Sequence, residues 1–140
     1  MTPAESITRA RTQLLMLHPF FGSLALRLRV VETRAVPTAG VAESITVNGT
    51  ILAYNPDFIA KLSPQETMAV VAHEVLHCAF KHIFRLADRE PMRWNIAADL
   101  AINPLIQDQG MRLPQGALLD DKYRDMEAET IYARLPEDPK

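Results

Sequence analysis

A chain of 140 residues, 48% hydrophobic and 23% charged, has the composition of an ordinary globular domain, long enough for one substantial core but not two. Its 15 Lys and Arg against 17 Asp and Glu leave a net charge of -2, which excludes a strongly basic nucleic-acid binder and a polybasic membrane patch. No apolar run reaches the roughly eighteen residues of a membrane span. The N-terminus lacks a signal-peptide layout, and the lone Cys78 excludes an internal disulfide or a cysteine-based zinc finger. A cytoplasmic domain is therefore expected, with any metal site built from His, Asp and Glu.

Residues 4–17 read as an amphipathic helix through Ile7, Leu14, Leu15 and Leu17, stopped by His18-Pro19. Residues 24–31 alternate Leu24, Leu26, Leu28 and Val30 with Arg27 and Arg29, the pattern of a half-buried strand. Asn48-Gly49 lies between the β-rich runs 44–47 and 50–54 and predicts a two-residue hairpin turn. Asn55-Pro56 caps a short helix over 56–61.

Ser63-Pro64-Gln65-Glu66 is a capping box that opens a long helix to about Arg85. Pro91 opens another over 92–108, which Pro104 should kink or split. Residues 110–124 read as a loop, 126–134 as a last helix and 136–140 as a linker-like tail. Residues 1–135 thus form one α+β domain, with helices at both ends and a small strand group near the front.

His73-Glu74-Val75-Leu76-His77 falls in the middle of the long helix. Side chains four apart on a helix share a face, so both imidazoles can reach one zinc ion. Glu74 flanks that face, placed to take a proton from a water as it attacks a peptide carbonyl. The flanks Val70-Val71-Ala72 and Val75-Leu76 are uncharged, and two histidines and a glutamate on a buried helix are costly unless they are bonded or bind something.

A catalytic zinc needs a third protein ligand and an open position. The next helix puts Asn95, Asp99 and Asn103 on one face. Asp99 is the expected third ligand, with the alternative that it orients a histidine through its other ring nitrogen. Asn95 and Asn103 suit supporting or substrate-positioning roles, because neutral amides bind zinc weakly. His82, about 140° round the helix from His77, reads as a helix-end residue rather than a ligand. His18 reads as structural or exposed, Cys78 as a buried inert thiol, and Lys81 as a residue at the rim of the site or a solvated one. Strand 50–54 offers an edge on which an extended substrate can pair. Tyr54, Arg93, Tyr123 and Tyr132 are undistinguished candidates for stabilising an oxyanion.

The run Val-Val-Ala-His73-Glu-Val-Leu-His77, followed by Arg93-Trp-Asn-Ile-Ala-Ala-Asp99-Leu-Ala-Ile-Asn103, resembles the metallopeptidase-type domain found before a von Willebrand factor A-like domain in bacterial and phage proteins. The late segment from Leu113-Pro-Gln-Gly to Glu129-Thr-Ile-Tyr132 resembles it too. The resemblance implies a zincin-like fold, in which a small sheet packs on an active-site helix and a backing helix. It also implies a peptide or protein substrate and partnership with an A-type domain. A non-catalytic alternative is an interaction module, holding zinc through a fourth protein ligand such as His82 or Glu90 and serving an A-type domain or an ATPase. Five arginines against two glutamates over 1–34 suggest docking to an acidic partner rather than nucleic acid.

Overall fold

Thr2 opens the first helix, α1 (Pro3–Leu17), with a capping box to Glu5 and proline in the first turn, an arrangement that stabilises by about 1 kcal/mol. Its buried residues Ile7, Ala10 and Leu14 recur at helical spacing and face the helices α2 (Pro19–Ala25) and α4 (Pro64–Ala79). A Cβ on Gly22 would stand 2.2 Å from the Cα of Leu15, so only glycine permits the close crossing of α1 and α2. The structure is a computed structural model that describes residues 1–44 and 49–136.

Helix α2 corrects the expectation of a strand over 24–31. Pro19 starts a helix that buries Phe21, Gly22 and Ala25, and Leu26 is left 53% exposed. Strand β1 is only Arg29–Glu32. Burial against α1 and α4 outweighs the short alternation of leucines, as tertiary packing commonly does with local β preference.

The sheet is mixed and three-stranded, in the order β1-β3-β2, with β2 at Ala39–Ser44 and β3 at Gly49–Tyr54. β1 runs parallel to β3, while β2 is antiparallel to it from Ala39–Tyr54 to Ser44–Gly49. The antiparallel pair is thus present, with its first strand over Ala39–Ser44; residues 45–47 of the expected run 44–47 lie outside the described residues. Gly49 sits in a strand opposite Ser44 rather than in a turn, and Asn48 lies outside the described residues. Strand 50–54 is central and paired on both sides, so it offers no edge; the outer strand on that side is β2. Leu52 and Tyr54, two apart and so on one face of β3, are both buried.

Asn55 caps α3 (Pro56–Ala60), and Ser63 with Glu66 caps α4. Helix α4 is the spine of the molecule, packed on α1, α2, β2 and a later helix, α6 (Pro91–Asp108). Leu14, Leu52, Ile59, Val71, Val75, Ile102 and Ile106 meet in the main core with at most 1% exposure. Full burial of such side chains contributes about 1.5–3 kcal/mol each, which fixes α4 and α6 side by side.

One further expectation changes. The long helix stops at Ala79, because Lys81 adopts the left-handed conformation (φ 56°, ψ 38°), and a separate turn, α5 (His82–Arg85), follows. Pro104 does not split α6, which runs through it with the proline ring buried. The segment 110–124 is a loop apart from a 3-10 turn at Asp121–Tyr123, and α7 (Ala128–Arg134) packs on α6. Among the described residues no helix is long and apolar enough to cross a membrane.

Candidate metal centre

Helix α4 presents His73, Glu74 and His77 to a cleft of about 640 Å³, and α6 presents Asn95, Asp99 and Asn103 to the same cleft. Residues 38–41 on the β2 side and the loop 113–118 line its remaining walls, with Phe58, Leu86 and Trp94.

Three donor atoms converge there. His77 Nε2 is 3.0 Å from His73 Nε2 and 3.0 Å from Asp99 Oδ1, and His73 Nε2 is 3.1 Å from the same oxygen. Donors about 2.0–2.1 Å from a tetrahedral zinc stand about 3.3 Å apart, so this triangle fits such an ion with a shift of a few tenths of an ångström. Two imidazoles and one carboxylate oxygen also suit zinc chemically. It is the one group of three or more His, Cys, Asp or Glu with this convergence among the described residues.

The outer nitrogens of both histidines are held. His73 Nδ1 lies 2.7 Å from Asn103 Oδ1, and the buried Asn103 donates from its amide nitrogen to the carbonyl of Leu118 at 2.9 Å. An amide oxygen only accepts, so Nδ1 carries the proton and Nε2 is the nitrogen that faces the cleft. His77 Nδ1 lies 3.0 Å from His82 Nδ1.

Without an ion, protons join the cluster. Burial disfavours the His73 imidazolium, but the Asp99 hydrogen bond, the charges of Glu74 and Asp99, and the Asn103 bond outweigh it and raise the pKa to about 9. Burial likewise pushes Asp99 up, yet its bonds to His73 and His77 hold it well below the usual carboxylate range. Burial first, then the charges of His77 and Arg85, lowers His82 to about 4, so His82 is neutral at pH 7.

Glu74 is 5% exposed and makes no hydrogen bond or ion pair among the described residues; it borders the cleft beside His73. Asn95 is solvent-exposed at the cleft wall one turn before Asp99. The candidate oxyanion groups lie elsewhere. Buried Tyr54 donates to Glu32 at 3.0 Å and is pushed up to about 12 by burial and that bond. Tyr123 is packed in the α6–α7 core, Tyr132 accepts from the backbone of Glu90, and Arg93 binds the carbonyls of Tyr132 and Leu135. Glu90 caps α6 through the amides of Met92 and Arg93. Cys78 is half-buried rather than fully enclosed, Lys81 is exposed at the left-handed turn, and His18 caps α1 with its ring edge-on to Phe21.

Sequence reasoning missed two features. One is the His82–His77 contact: no glycine, proline or asparagine announces the turn at Lys81, and an unbroken helix would carry His82 away. The other is the cleft wall formed by 38–41 and 113–118, for which only Gly40, Pro114 and Gly116 offered a signal.

An H-E-x-x-H helix facing an aspartate-bearing helix, under a small mixed sheet, defines an α+β domain with a candidate His–His–Asp metal centre. The chain belongs to the family described as "putative metallopeptidase domain", which matches residues 2–140. It is also similar to an uncharacterized protein of Thermotoga maritima, 26% identical over 141 residues. That match covers 98% of this chain but 35% of the relative, so the chain spans about a third of the relative's length. No solved structure matches the chain.

Proposed function

We propose that this domain is a zinc-dependent peptidase of the zincin type, acting on peptide or protein substrates. The observation that carries the reading is the triangle of His73 Nε2, His77 Nε2 and Asp99 Oδ1, at 3.0–3.1 Å, in a cleft that Glu74 also borders. His73, His77 and Asp99 would hold the ion. Zinc in such a site supplies Lewis acidity, which makes water a nucleophile near neutral pH and polarises the scissile carbonyl.

Glu74 then acts as general base: its carboxylate takes the proton of the attacking water and returns it to the leaving amine. Its place at the cleft beside His73, buried and in no hydrogen bond among the described residues, supports that role. The β2 side of the cleft supplies an outer strand on which an extended peptide can add by backbone hydrogen bonds, with apolar walls at Phe58, Leu86 and Leu113 for its side chains. Asn95 is positioned to hydrogen-bond the bound chain.

A purely structural zinc site needs a fourth protein ligand. Of the residues expected for that role, His82 has its Nδ1 against His77 and Glu90 caps α6, which supports the catalytic reading. Protein purified without chelator should carry about one zinc per chain, with X-ray absorption at the zinc edge fitting two imidazoles and oxygen. A zinc-free protein that also fails to take up added zinc would overturn the proposal.

A further inference from the structure

His82 is buried and is attached at three points. Its backbone carbonyl accepts from Trp94 Nε1 at 2.9 Å. Its ring stacks on Phe80 at 5.8 Å and meets the Trp94 ring edge-on at 5.9 Å. Its Nδ1 lies 3.0 Å from Nδ1 of His77, brought back to that neighbour by the left-handed turn at Lys81. Along an uninterrupted helix, five residues would have placed it about 140° away.

A nitrogen–nitrogen contact of this kind contains one proton, and its position decides what the far side of each ring can do. If His82 donated, the proton of neutral His77 would sit on Nε2, which would then point a hydrogen rather than a lone pair at Asp99 and His73. If His77 donates, its Nε2 is free to bind a cation. We infer that His82 is a positioning residue for the metal centre, its Nδ1 accepting the Nδ1 proton of His77 and thereby fixing His77 in the tautomer whose Nε2 faces the ion. This rests on the zinc reading above. It assigns His77 the counterpart of what Asn103 does for His73.

Two measurements test this. Long-range proton–nitrogen NMR correlation on the zinc-loaded wild-type protein should show His77 protonated at Nδ1 and His82 protonated at Nε2; a His82 proton on Nδ1 overturns the inference. Competition with a chromophoric chelator should show His82→Leu weakening zinc affinity by roughly 10–100-fold. His82→Gln, which restores an acceptor oxygen, should recover most of that loss. A merely structural role would leave the glutamine no better than the leucine, and equal affinity in His82→Leu and wild type would also refute it. If His82→Leu fails to fold by circular dichroism, the wild-type spectrum decides alone. A wild-type chain that binds no zinc removes the underlying zinc reading, whereas tight wild-type binding unaffected by His82→Leu removes only the role of His82.

Discussion

Nδ1 of His73 lies 2.7 Å from Oδ1 of Asn103, a residue thirty positions further along the chain on a different helix. The same side chain donates to the carbonyl of Leu118 at 2.9 Å. One buried amide therefore sets the tautomer of a candidate ligand and anchors the loop that closes one side of the cleft.

Asn103→Leu should weaken zinc binding by roughly 10–100-fold, because the ring of His73 loses its orienting acceptor. It should also speed amide hydrogen exchange across 113–118, since the loop loses its tie to α6. Affinity and exchange both matching wild type would show that the amide orients neither.

Lys81 turns the chain in the left-handed region, at a cost of about 1–2 kcal/mol for an ordinary L-residue. Lys81→Gly should therefore be neutral or slightly stabilising, the relief of strain being partly offset by the entropy of a freer unfolded chain. Lys81→Val should lower the melting temperature and, by shifting His82, weaken zinc binding as well. Thermal melts and chelator competition on the same pair of variants check both effects, and a valine variant indistinguishable from glycine would contradict them.

Arg85 holds Glu129 of α7 through Nε at 2.8 Å and through a second, shorter contact from Nη2, tying α5, and with it His82, to the end of the molecule. The Arg85 hydrogen bond lowers the Glu129 carboxyl from 4.5 to about 2, against the opposing effect of burial. A carboxyl held below its unfolded value stabilises the fold above about pH 4.5, and that contribution is lost as pH falls toward 2. Both side chains are about 30% exposed, so the pair is worth about 0.2–1 kcal/mol. Glu129→Gln should lower stability at pH 7 by that amount and flatten the decline between pH 4.5 and 2. Denaturant titrations at pH 7, 4 and 2.5 measure it; parallel acid limbs in the two proteins would contradict the assignment.

The features written in short-range chemistry were readable from the residues. Asn55, before Pro56, and Ser63, three residues before Glu66, cap helices where the sequence placed them. The four-residue spacing of His73 and His77, and of Asp99 and Asn103, carried over to one cleft because α4 and α6 pack together. What failed depended on packing between distant segments. The leucine alternation at 24–28 promised a strand, but the fit of Gly22 against Leu15 favours a helix. The break at Lys81 has no local sequence cause: it arises where Trp94 binds the His82 carbonyl and Arg85 binds that of Phe80. Which strand lay outermost depended on β1 adding in parallel to β3, a pairing between segments some twenty residues apart.

The most direct test of the peptidase reading is cleavage of an unfolded protein substrate by the zinc-loaded chain, wild type against Glu74→Gln, with bound zinc measured in the same samples. The glutamine keeps the size of the side chain and leaves His73, His77 and Asp99 in place, so about one zinc per chain should remain in both. Turnover should fall by about a hundred- to ten-thousand-fold, the contribution of a general base. Cleavage that persists undiminished in zinc-loaded Glu74→Gln, or a wild-type chain that holds zinc and cleaves nothing across a broad peptide library, would contradict the account.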